Sequence, residues 1–201
     1  MSWHRHRGQK PMPPAPAQNP IVMAISNCDK NHLRHLLASG GKPDAAHGDT
    51  CPLVFATRCG ALDIVVLLLD HHAVIDTPDA QGQTALMVAA TGDRLDILET
   101  LLARGADIHR GDKHGNTALI YAVLNKNHPA VEKMIQAGAD VQQPNQYGDS
   151  AEKLMLRPEY TGMKATVADA LQKKAATEKK GCTQLTEKMR VFKPLRLRPR
   201  M

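Results

Sequence analysis

Through the middle of this chain, apolar residues come in two short groups per 33 positions, separated by polar segments that carry glycine. The second group is the clearer. It reads Ile64, Val65, Leu68 and Leu69, then Ile97, Leu98, Leu101 and Leu102, then Ala130, Val131, Met134 and Ile135. Spacing of i, i+1, i+4 and i+5 lays four side chains on one stripe of an α-helix. Gly105-Ala106-Asp107 and Gly138-Ala139-Asp140 follow the stripe, which sets glycine just past the helix end in the left-handed region. The first group opens at Cys51, Thr84, Thr117 and Ser150, each 33 residues beyond the last. Thr84, Thr117 and Ser150 are predicted N-caps, each worth about 0.5–2 kcal/mol against alanine. Pro20 and Pro52 suit a first helical turn, and Ala89, Ala90 and Ala122 let paired helices approach closely.

A strict period of this length means stacked supersecondary units, each too small to bury its apolar face alone. Burying a leucine-sized residue stabilises by roughly 1.5–3 kcal/mol. Four per unit do not offset the ordering of the unit's backbone and side chains, so neighbours are required. A degenerate unit precedes the regular ones. Asn19-Pro20-Ile21 through Ala24 copies the opening, and Leu33, Leu36, Leu37 and Gly40 copy the second helix, 32 residues ahead of Cys51 rather than 33. The unit at Ser150 carries Glu152 where leucine belongs and reads as a terminal half-unit with a wetter face. Such a stack presents a row of equivalent loops instead of one deep cleft, a geometry for gripping a macromolecule.

Asp79-Ala80-Gln81-Gly82-Gln83-Thr84-Ala85-Leu86 and Asp112-Lys113-His114-Gly115-Asn116-Thr117-Ala118-Leu119 resemble the opening of an ankyrin repeat, and Gly105-Ala106-Asp107-Ile108 resembles its close. The resemblance covers about residues 19–156. It implies an all-α ankyrin-repeat solenoid of stacked helix pairs with projecting β-hairpin loops, about four repeats plus a terminal half-repeat. It also implies a non-catalytic protein-binding role, as scaffold, adaptor, inhibitor or effector. The family's surface maps here to the loop tips Ala80, Gln81, Lys113, His114, Gln146 and Tyr147, and to Arg58, Thr91, Leu124 and Asn125 on the short helices. Tyr147 is the expected hot spot, because an exposed aromatic supplies area at low entropic cost; the competing expectation packs it on a C-terminal helix. Three departures matter. The family's histidine three after the threonine is Val54, Met87 or Ile120, so its usual hydrogen bond is expected to be lost. Cys51 is a poor cap, with Asp49 or Thr50 as substitutes. His72 stands at the glycine position after the second helix, which predicts a left-handed histidine there.

The formal charge of +6 divides unevenly. Residues 19–156 hold eleven basic and sixteen acidic residues, and residues 157–201 hold twelve and four. The array is mildly acidic and its termini are basic. Residues 1–18, with Arg5, Arg7, Lys10 and a run of prolines, read as a disordered arm without a secretory signal. Residues 157–181 read as a capping helix, running from Lys164 to Lys180 with Val167, Ala168 and Leu171 on one face. Residues 182–201 read as a flexible basic tail. No apolar run is long enough to span a bilayer, and Cys28, Cys51, Cys59 and Cys182 show no paired spacing. A reducing, intracellular and cytoplasmic setting is expected.

His109-Arg110-Gly111-Asp112-Lys113-His114 is the most cationic loop. Arg110 and Lys113 are its candidate contacts to an acidic partner surface, against the plainer reading of a solvated turn. Its Arg-Gly-Asp tripeptide is read as turn structure, with Asp112 as the turn aspartate. Cys28, His32 and His35 share a helical face with ligand-type side chains. His32 aligns with Ile64 and Ile97, however, so it is expected to be a half-buried core substitute. No metal, cofactor or small-molecule substrate is assigned. No phosphate-cradling loop or nucleophile elbow is present, and Asp93 and Asp96 suit a helix start. An alternative reading gives residues 188–200 a nucleic acid or an anionic membrane through phosphate neutralisation.

Overall fold

Proline and capping side chains start the helices where the period predicts. In the computed structural model, which describes residues 19–44, 51–92, 94–160 and 162–173, α1 (Pro20–Ser26) begins at Asn19, whose Oδ1 accepts the Ile21 N–H at 2.9 Å. Its partner α2 (Lys30–Ala38) is capped by Asp29. Three more pairs follow: α3 (Pro52–Cys59) with α4 (Leu62–Asp70), α5 (Ala85–Thr91) with α6 (Leu95–Ala103), and α7 (Ala118–Leu124) with α8 (His128–Gln136). Then come α9 (Ala151–Met155), a 3₁₀ turn at Pro158–Tyr160 and a helix over 162–173, here α10. The odd helices α1 to α9 pack in one row, and α2, α4, α6 and α8 in a second row behind it. The described residues contain no sheet; the loops carry one isolated antiparallel bridge, Gly111 to Thr117, in place of hairpin strands.

The predicted stripes form the core. Ile64, Val65, Leu68, Ile97, Leu98, Leu101, Ala130, Val131, Met134 and Ile135 are all buried, as are Ala85, Ala89, Ala90 and Ala122 where the helix rows meet. Thr84, Thr117 and Ser150 each accept an N–H from three residues on, at 3.2–3.4 Å. Cys51 makes no cap bond; its proposed substitutes Asp49 and Thr50 lie outside the described residues. The lost histidine bond holds for the apolar Val54 and Ile120. At Met87 it needs correction, because Sδ accepts the Thr84 N–H at 3.4 Å, so a weak sulfur acceptor replaces the imidazole.

Repeats are tied sideways as well as through the core. Outer helices are linked by ion pairs: Lys30–Asp63 at 3.3 Å, Arg104–Asp70 at 2.8 Å and Lys133–Glu99 at 2.6 Å. Lys173 of α10 meets Glu132 of α8. Asn127 Nδ2 donates to the carbonyls of Ala90 and Gly92, and Arg94 Nη2 to that of Arg58, so the α5–α6 and α3–α4 turns are each held by the next unit.

Two expectations at the ends are corrected. His32 is exposed, while Leu33 beside it is fully buried. No described helix lies on the far side of α2, so the position that Ile64 and Ile97 fill faces solvent in the first unit. In α10 the buried face is Met163, Val167 and Ala170, whereas Ala168 and Leu171 are exposed. The helix starts earlier than Lys164, and spacing of i, i+4 and i+7 selects that other face. Its predicted continuation to Lys180, and the arms at 1–18 and 182–201, lie outside the described residues.

His72 adopts φ 63°, in register with Gly105 at 84° and Gly138 at 103°. A side chain in the left-handed region costs about 1–2 kcal/mol, partly offset by the extra unfolded-state freedom of glycine. His72→Gly is therefore expected to raise stability by about 0.5–1 kcal/mol, read as a higher urea midpoint at unchanged slope. A lower midpoint would mean that the ring contributes more than its backbone strain costs.

Candidate protein-binding surface

Three successive units, those whose short helices start at Thr84, Thr117 and Ser150, begin with a described finger built on one acceptor side chain. In the first, Asp79 Oδ1 accepts the N–H groups of Gln81 and Gln83 at 3.0 and 2.9 Å. In the second, Asp112 Oδ1 accepts those of His114 and Asn116 at 2.9 and 2.8 Å. In the third, Asn145 Oδ1 accepts those of Tyr147 and Asp149, both at 2.9 Å. Such closed turns satisfy the loop backbone without help from strands. At the Asp79 finger glycine is required by contact as well as by conformation. Gly82 sits at φ 83°, and a Cβ there would come within 2.8 Å of the Lys113 nitrogen in the next finger.

Polar bonds then join finger to finger. Gln83 Nε2 donates to Tyr121 Oη at 2.9 Å, and Tyr121 Oη donates to Asp112 Oδ2 at 2.7 Å. Asn116 Nδ2 donates to the same carboxylate, and Asn145 Nδ2 donates to Asn116 Oδ1 at 2.7 Å. Gln146 bonds the second finger twice, from its backbone N–H to the His114 carbonyl and from Nε2 to the Lys113 carbonyl, both at 2.9 Å. Gln143 Nε2 reaches the His109 carbonyl at 2.9 Å. Burial works against the Asp112 charge, but bonds from Tyr121 and from the backbone of Asn116 and His114 prevail and hold its carboxyl below the ordinary range. Burial, then the Asp112 carboxylate, pushes the Tyr121 hydroxyl up.

The predicted contact residues Gln81, His109, Arg110, Lys113, His114, Gln146 and Tyr147 are all exposed on these fingers. Tyr147 is 69% exposed. It lies on His114, with ring centroids 5.9 Å apart, planes at 29° and Oη 3.1 Å from Nδ1. That contact replaces the expected alternative of packing on the C-terminal helix. Arg58, Leu124 and Asn125 are exposed at the ends of the short helices, but Arg58 is occupied, its guanidinium 2.8 Å from Asp79 Oδ2. Asp112 of the Arg-Gly-Asp tripeptide spends its carboxylate inside the finger, as a turn aspartate does.

The other candidates disperse. Among the described residues, Cys28, His32 and His35 form no metal-holding group, and each is exposed. Cys28, Cys51 and Cys59 are free thiols; burial raises the Cys51 thiol and pushes that of Cys59 up to about 11. Asp96 is exposed in the first turn of α6, and Asp93 lies outside the described residues. No described helix is long and apolar enough to cross a membrane. Reading the sequence missed Tyr121, Gln83 and Gln143. The 33-residue spacing of Asp79 and Asp112 was visible, but Tyr121 aligns with Phe55 and Val88, so its hydroxyl had no counterpart to reveal its role.

No curated protein matches the sequence. The description "Ankyrin repeats (3 copies)" does match, over residues 21–112 and again over 76–145, more than half of the chain. With paired short helices stacked in two rows and a finger opening three successive units, the chain belongs to the ankyrin-repeat family.

Proposed function

We propose that this protein is a non-catalytic binding module (scaffold, adaptor, inhibitor or effector) that holds a protein partner on its finger tips and short-helix ends. Ankyrin repeats are in general protein-binding modules. The observation that carries the reading is the cross-linking of the fingers: side-chain and backbone bonds from Gln146, Asn145 and Gln83 make three loops one exposed surface. A pre-ordered surface loses less entropy on binding, and Tyr147 offers an exposed aromatic anchor. In this reading residues 19–156 are the binding array, 157–181 its cap, and the basic termini adjust location or affinity.

Affinity capture tests it, with wild type beside a Lys113→Ala/His114→Ala/Tyr147→Ala variant as bait. The variant is expected to lose the partner that wild type retains, at an unchanged melting temperature. Equal recovery of the same proteins would refute the surface. A third bait lacking residues 182–201 is expected to capture as wild type does. Loss of a salt-sensitive interaction there would move binding to the basic tail and an anionic surface.

A further inference from the structure

The cations of the described array are mostly engaged. Arg58, Arg104, Lys30, Lys133 and Lys153 each face a carboxylate, Arg94 and Arg34 donate to the Arg58 carbonyl and to Asn31, and Lys126 lies over the Tyr160 ring. Arg110, Lys113 and Lys42 differ: all three are exposed, and none has an ion pair or hydrogen bond through its side chain among the described residues, but only Arg110 and Lys113 share one loop. The carboxylate nearest in sequence to both, Asp112, is turned inward onto Tyr121 Oη, Asn116 Nδ2 and two backbone N–H groups, so it is not available to neutralise them. Asp107 and Asp140, at the bases of the loops, accept the N–H groups of His109 and Gln142. Beside Lys113 stands the flat platform of His114 and the exposed Tyr147 ring. The surface thus offers two unneutralised cations and an aromatic plate on a cross-linked support.

We infer that the second and third fingers select an acidic protein segment, with carboxylates on Arg110 and Lys113 and an adjoining planar or apolar side chain on Tyr147 and His114. This rests on the reading of the fingers as the binding surface and adds the chemistry of the partner. Complementary charge speeds encounter and rejects basic partners, and the aromatic plate adds contact area at little entropic cost. The array as a whole is acidic, so this cationic spot is a local reversal of sign that directs an acidic segment to one place.

Selection of a phage-displayed random dodecapeptide library on the full chain tests the inference. Recovered peptides are expected to be enriched in aspartate and glutamate. An Arg110→Glu/Lys113→Glu chain, folded by circular dichroism, is expected to lose that enrichment and to bind a recovered acidic peptide at least about tenfold more weakly by fluorescence anisotropy. Recovered peptides without acidic bias overturn the inference. So does equal binding by both chains, which assigns the attraction to the basic termini, or tighter competing binding of single-stranded oligothymidylate, which makes phosphate the ligand. If Tyr147→Ala abolishes recovery while charge reversal leaves it intact, the finger surface stands and its acid preference falls. If neither variant changes recovery, both readings fall.

Discussion

Leu98→Ala is expected to destabilise the protein by about 2–5 kcal/mol, a large part of the about 5–15 kcal/mol that holds a domain folded. Leu98 is fully buried in α6, which packs between α4 and α8 and against α5. Truncation removes transfer free energy and leaves a cavity that rigid helices on three sides close poorly. Position magnifies the effect. In a stack each unit is propped by its two neighbours, so weakening a central unit removes an interface from both halves. Urea denaturation followed by circular dichroism measures it, with Leu124→Ala, an exposed position, as the contrast expected to stay within about 0.5 kcal/mol. Equal effects at the two leucines would mean that the core is not where the stripes place it.

Asp112→Ala is expected to cost about 2–4 kcal/mol, because one carboxylate accepts four hydrogen bonds and bonds to a charged group each contribute about 1.5–3 kcal/mol, less where water can replace them. It also frees the Tyr121 hydroxyl and the tip that presents Lys113 and His114, so finger-dependent binding should weaken with it. Asp112→Asn is the informative partner. Asn145 performs the same backbone-accepting role in the next finger, so asparagine should keep most of the turn. The two variants separate in acid. Because the folded carboxyl lies below its unfolded value of about 4, its stabilisation is present above that value and is lost as pH falls through the folded pKa. Wild type should lose stability more steeply than Asp112→Asn below about pH 4. Parallel pH profiles for the two would show that the charge contributes nothing beyond the turn geometry.

The repeat order, the helix rows and most of the core were legible in the sequence because they depend on local periodicity. Ile97, Leu98 and Leu101 could be assigned to one stripe without knowing what covers it, and Thr84, Thr117 and Ser150 announce helix starts through short-range bonds. His72 could likewise be placed in the left-handed region, since a helix ending needs that backbone whatever residue stands there. Prediction failed where an environment is not repeated. Alignment with Ile64 makes His32 a core position, but no described helix lies beyond α2 to bury it. In α10, outside the period, two helical faces were open to choice, and packing on the preceding unit took Met163, Val167 and Ala170.

The candidate surface divides along the same line. That Gln81, Lys113, His114, Gln146 and Tyr147 stand at equivalent points follows from the 33-residue offset, and that those points are exposed tips is what the ankyrin resemblance implies. Which of them touch follows from neither. The stacking of Tyr147 on His114 and the Gln83–Tyr121 bond join residues from different units, and the inward turn of Asp112 joins a finger to Tyr121 on its own short helix, with side chains whose reach and orientation no period encodes. Local backbone chemistry wrote the comb, and the lateral distance between its teeth determined which side chains pair with one another and which, such as Arg110 and Lys113, do not.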